Sequence, residues 1–201
     1  MSRIPVFGKL GVSIIGGPDS AGMLNISENK RIPIYTKDAI KLNNVNDIAT
    51  MHSSLSRFKP YMEEKIREQF KDFNYNINNI KGYVFKNNSA VVGRIKESKE
   101  FKNIINDNID KILKGERFSG KFENNSNLRN AFGMVDFLNS GIDKYGDLHL
   151  YMFDTYDFNK NESPKIEAGR RQMLKGNLKG FFTIHEIIIP QEDYGKYSVE
   201  G

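Results

Sequence analysis

The stretch Asp147–Phe158, DLHLYMFDTYDF, decides how the rest of the chain is read. Leu148, Leu150 and Met152 recur at every second position, the period of a strand that turns one face to a core. If that pitch continues, Asp154 and Tyr156 share a face with Met152, while Thr155 and Asp157 point the other way. The next residue to be buried after Met152 would then be a carboxylate, and an unpaired buried carboxylate is costly. Asp154 must leave the core, meet a cation or keep its proton. The plainest expectation is a strand that ends at Phe153, with Asp154 opening a solvated turn.

Working outward, Phe181–Ile189, FFTIHEIII, carries Phe182, Ile184 and Ile188 in a second strand pattern. Between the two, Ser163 and Pro164 form a helix start with proline in the first turn, and KIEAGRRQMLKG runs to Gly176 as a stop. This gives a strand–helix–strand unit. Upstream, Phe101, Ile104, Ile105, Ile109, Ile112 and Leu113 predict one amphipathic helix, capped by Ser98 and closed by Gly115. The preceding Lys81–Lys96, KGYVFKNNSAVVGRIK, predicts a hairpin turning at Asn87 and Asn88. Val45, Ile48, Leu55 and Phe58 follow helical spacing, and after Pro60 a further helix places Met62, Ile66, Phe70 and Phe73 on one face.

Residues 1–35, rich in Gly, Pro and Ser, are expected to form an irregular N-terminal arm. Residues 36–201 are expected to form a single α+β domain, with a helical part over 36–115 and a β-rich part over 116–201. The fold class expected is thus α+β, with a mainly helical N-terminal half carrying a hairpin. A mostly antiparallel C-terminal sheet would present the acidic motif at its edge.

The chain has 201 residues, enough for a core without covalent staples, and a net charge of +5 spread along its length. Having no cysteine, it forms no disulfide and uses no thiolate in catalysis or zinc binding. No signal peptide is read at the N-terminus, and no run approaches the ~20 apolar residues of a membrane-spanning helix. The phosphate loop of nucleotide hydrolases, the His-Glu-x-x-His of zinc proteases and the Gly-x-Ser-x-Gly of serine hydrolases are absent.

The motif DTYDFN, Asp154–Asn159, follows an apolar strand with Phe132-Gly133 and a Gly146-Asp147 turn before it. It resembles the active-site signature of the colicin M family of bacteriocins and toxin domains, an Asp-x-Tyr-Asp core continued by Phe-Asn. The resemblance implies a Mg²⁺-dependent phosphodiesterase that splits lipid II, the undecaprenyl-linked peptidoglycan precursor, between lipid and pyrophosphorylated headgroup. It places Asp154, Tyr156 and Asp157 at the catalytic core. It also implies delivery to the outer face of a target cell's inner membrane through a receptor or delivery machine, and an immunity protein in the producer. One departure stands out: the family's His-Arg after the second aspartate is replaced here by Ser163 and Pro164.

The chemistry can also be argued from the residues. Cleaving a pyrophosphate-linked diester requires charge neutralisation at the phosphate and a positioned nucleophile, for which Asp154 and Asp157 offer hard oxygen ligands to Mg²⁺. His185 is the candidate general base if the strands 147–158 and 181–189 are neighbours, and Arg170 is the candidate phosphate cation. His149 and Arg171 are the alternatives, His52 is read as a surface residue, and Asn159 as shaping the turn. Two rival functions fit the same sequence: a metal-dependent nuclease toxin, and a non-enzymatic binding or inhibitor protein of phage or mobile-element origin.

Overall fold

In the computed structural model the described residues are 6–8, 11–14, 24–27 and 30–33 as backbone, and 39–51, 53–73, 75–123, 128, 132–156, 164–175 and 180–194. The first four segments are strands β1 (Val6–Gly8), β2 (Gly11–Ile14), β3 (Leu24–Ser27) and β4 (Lys30–Pro33), paired antiparallel in that order. The expected irregular arm is therefore a small meander with a sheet of its own.

The larger sheet holds β5 (Ala39–Leu42), β6 (Lys81–Phe85), β7 (Phe118–Lys121), β8 (Met134–Ile142), β9 (Leu148–Tyr156) and β10 (Phe181–Ile189), in the order β5-β6-β10-β9-β8-β7. All neighbours are antiparallel except β6 and β10. The helices are α1 (Ser53–Ser56), α2 (Lys59–Phe70), α3 (Ala90–Glu97), α4 (Lys99–Asp107), α5 (Ile109–Leu113), α6 (Pro164–Leu174) and α7 (Gln191–Tyr194). The chain is an α+β protein. None of the helices among the described residues is long and apolar enough to cross a membrane.

Both predicted C-terminal strands exist, with α6 between them. They are adjacent in the middle of the sheet, so both faces of β10 are covered from Phe181 through His185. Helices α3, α4 and α5 pack on one face, against β10, β7 and β8 respectively. Phe101 of α4 meets Phe137 of β8 there. The other face carries α2, whose Met62, Ile66 and Phe70 are buried as their spacing predicted. Just before α2, Phe58 meets Tyr151 of β9 edge to face. Each such large apolar side chain contributes about 1.5–3 kcal/mol when fully buried, so the two layers hold the sheet between them.

The expected hairpin over Lys81–Lys96 is half right. Its first arm is β6, but Ser89 caps a helix by accepting from Val92 N, and Val91, Val92 and Ile95 of α3 are buried. Asn87, read as a turn residue, instead accepts from Ile188 N at 2.9 Å and from Lys96 Nζ at 3.3 Å. Tertiary bonding to β10 thus replaces a local partner strand. The helix expected over 101–113 breaks at Asn108, whose side chain donates back to Ile104 O at 2.9 Å, and becomes α4 and α5.

Candidate active site

The position of the acidic motif also needs correcting. It lies on β9, an interior strand flanked by β8 and β10, and not on an edge strand. Nor does the strand stop at Phe153: Asp154, Thr155 and Tyr156 pair with Thr183, Phe182 and Phe181. Asp154 therefore stays in the sheet. It is partly buried, and its Oδ1 accepts from Thr155 N at 2.8 Å.

The register sets three rows of side chains across β6, β10 and β9, all on the face that carries α3. The middle row is Tyr83, Thr183 and Asp154; on one side of it lie Phe85, His185 and Met152, on the other Lys81, Phe181 and Tyr156. His185 is thus a diagonal neighbour of Asp154, a relation that spans roughly 7–8 Å between backbones.

His185 is buried, with 1% of its surface exposed. Its ring stacks on Phe85 at 4.8 Å and meets Phe132 edge-on at 5.0 Å. Burial drives its pKa down to about 3, against a smaller upward pull from a hydrogen bond with the Met152 backbone. An imidazole so placed is neutral at physiological pH and takes up a proton weakly. The environment therefore disfavours the general-base role and favours a neutral, hydrogen-bonding one. Its Nδ1 has no hydrogen-bond partner, and neither has the hydroxyl of Thr183, itself 2% exposed.

Tyr156 stacks on Phe181 with ring centres 4.6 Å apart, and Phe181 meets Tyr83 edge-on at 5.6 Å. Burial raises the Tyr156 pKa well above its ordinary value, and the nearby charge of Asp154 adds to the rise. The phenol is therefore a donor, never a phenolate, at neutral pH. Tyr83 is raised too, by burial.

Arg170 lies elsewhere than proposed from sequence. Its Nη2 donates to Asp72 Oδ2 at 2.8 Å and its guanidinium sits over the Phe73 ring, joining α6 to the 3₁₀ turn Lys71–Phe73. Arg171 is exposed. His149 bonds Asp143 Oδ2 at 3.0 Å, an interaction that holds the Asp143 carboxyl below its usual range. Asp157, Asn159 and His52 lie outside the described residues.

Thr183 and Tyr83 were not among the candidates read from sequence. The signal for Thr183 was present: in FFTIHEIII it is the polar residue two before His185, hence on the same strand face. Tyr83 joins only through the parallel pairing of β6 with β10, which no local pattern reveals.

The chain finds no match among models of protein families, curated proteins or solved structures. The site is thus read from its own geometry. Asp154 and the Thr183 hydroxyl opposite it are hard oxygen donors of the kind Mg²⁺ accepts, and the buried, unpartnered Thr183 oxygen is compatible with a further ligand there. Among the described residues no three His, Asp or Glu side chains cluster to hold a metal.

Proposed function

We propose that this chain is a metal-dependent phosphodiesterase of the colicin M kind, acting on the pyrophosphate linkage of lipid II with Asp154 at its centre. The observation that carries the reading is the polar row inside the sheet: Asp154 faces Thr183, whose buried hydroxyl lacks a partner, beside His185, whose Nδ1 lacks one too. Buried polar atoms left unbonded are rare and mark places where a structure serves something besides stability.

In this reading Asp154, with Asp157 beyond the end of β9, holds Mg²⁺, which when bound neutralises charge on the phosphate oxygens. Tyr156, kept protonated, donates a hydrogen bond to a phosphate oxygen. Thr183 and neutral His185 orient Asp154 and the bound group, and the general base lies elsewhere than in His185. A toxin with this activity would work outside the inner membrane of a target cell, with a delivery machine to carry it and an immunity protein to protect the producer.

The test is turnover of lipid II by the purified chain with Mg²⁺ and with EDTA, products being resolved as free lipid and pyrophosphorylated headgroup. Cleavage that needs the metal and disappears in Asp154→Ala is the expected result. Intact lipid II, under conditions where an authentic lipid II hydrolase cleaves it, would overturn the reading. Metal-dependent degradation of DNA or RNA, lost in the same variant, would replace it with the nuclease.

A further inference from the structure

On the face of the sheet opposite Asp154, a groove of about 870 Å³ opens between the start of α2 and strands β7 and β8. Its charged and aromatic lining includes Arg57, Phe58, Tyr61, Arg117 and Asp136. Asp136 is already occupied: Tyr61 donates to its Oδ2 at 2.8 Å, Ser119 to its Oδ1 at 2.7 Å, and Lys65 Nζ stands 3.8 Å away. Glu116, on the rim, is exposed.

The two arginines are held differently. Arg117 lies over the Tyr61 ring, 3.9 Å from its centre, and Arg57 lies over Phe58 at 4.6 Å while its Nη2 donates to Asn139 O at 2.7 Å. Among the described residues neither forms an ion pair with a carboxylate. Stacking on a ring fixes the plane of a guanidinium and leaves its N–H edge free to donate in a fork, the arrangement that suits phosphate oxygens. A guanidinium pre-oriented in this way loses little freedom when an anion arrives.

We propose that this groove is a binding site for a phosphate or pyrophosphate group, held between Arg57 and Arg117, and independent of the Asp154 site on the other face. The groove volume leaves room for a molecule of nucleotide size attached to that group.

Calorimetric titration of the full chain with inorganic pyrophosphate tests this. EDTA in the buffer removes divalent metal, so the result does not depend on hydrolysis at Asp154. Saturable binding is expected, and Arg57→Gln or Arg117→Gln should each weaken it by about tenfold, the value of one charge-assisted hydrogen bond. Arg117→Lys should weaken it nearly as much, since it keeps the charge and loses the fork, whereas Lys102→Gln, on exposed α4, should leave it unchanged. Unaltered melting confirms that each variant folds. No saturable heat, equal binding of citrate, or arginine variants that behave like Lys102→Gln would overturn the proposal.

Discussion

Asp136 and Asp154 sit on opposite faces of the same sheet, Asp136 in register with Phe153 and Asp154 one residue further along β9. The sheet treats them in contrasting ways. Asp136, at an open groove, has both oxygens engaged by hydroxyl groups and a lysine nearby. Asp154 is partly buried next to Thr183 and His185, each with a polar atom that no hydrogen bond satisfies. Openness and unsatisfied chemistry have thus been separated onto two faces. The accessible face is settled in its hydrogen bonding and offers two unpaired guanidinium groups; the covered face holds the atoms that lack partners.

The largest effect should come from the covered face. Asp154→Ala should lower metal-dependent hydrolysis by about 10²–10³-fold, the usual cost of losing one electrostatic contact to a transition state. Its urea midpoint should shift little, because the residue is a partly buried one near a strand end. A variant that instead unfolds would make Asp154 a structural residue and erase the contrast with Asp136.

Acid should act on the same face. An unfolded imidazole takes its proton near 6.5 and the folded His185 resists until about 3. Above 6.5 the residue has no pH effect; below it the unfolded state binds the extra proton, and stability falls by about 1.4 kcal/mol per pH unit until about pH 3. Two pH units should therefore cost about 2–3 kcal/mol. Urea melts of the wild type and of His185→Phe, compared across that range, should diverge by this amount, and parallel curves would show that His185 is not sealed.

The groove-side face is stiffer where β6 meets β10. A methyl group on Gly82 would lie 2.2 Å from Cζ of Phe182, a buried ring with nowhere to move. Gly82→Ala should destabilise by about 1–3 kcal/mol in chemical unfolding. Tyr61→Phe removes one of the bonds to Asp136 but leaves Ser119 and Lys65 in place, so a loss of about 0.5–1.5 kcal/mol is expected in the same measurement. Asp72→Asn, which breaks a pair whose acidic partner is half exposed, should shift stability by about 1 kcal/mol or less.

Much of the frame was legible in the sequence. The alternation in Leu148–Met152, the proline start and glycine stop around α6, and the Ser98 cap are local signals, and local signals gave strand, helix and cap correctly. Ser98 does accept from Phe101 N, at 3.1 Å. The errors fell where a residue's partner is distant. Val91 and Val92 looked like a strand because β-branched residues favour one, yet the buried face of α3 claimed them. Asn87 looked like a turn residue, and its side chain bonds β10 about a hundred positions away.

The candidate site shows the same division. That Asp154 and Tyr156 share a face, and that Thr183 and His185 share another, follows from the period of a strand and needs no structure. That these are the same face of one sheet depends on β9 and β10 being neighbours in a particular register, and a slip of one residue would send His185 to the opposite side. Burial depends on it as well. The sequence shows a histidine in an apolar run, and the rings of Phe85 and Phe132, brought in from β6 and from the segment before β8, turn it into a neutral, sealed imidazole. Arg57 and Arg117, sixty positions apart and unremarkable in sequence, line one groove because α2 crosses the end of β7 and β8. Periodicity records which side a residue faces; what it faces is decided by contacts between segments far apart in the chain, and local spacing carries no trace of those.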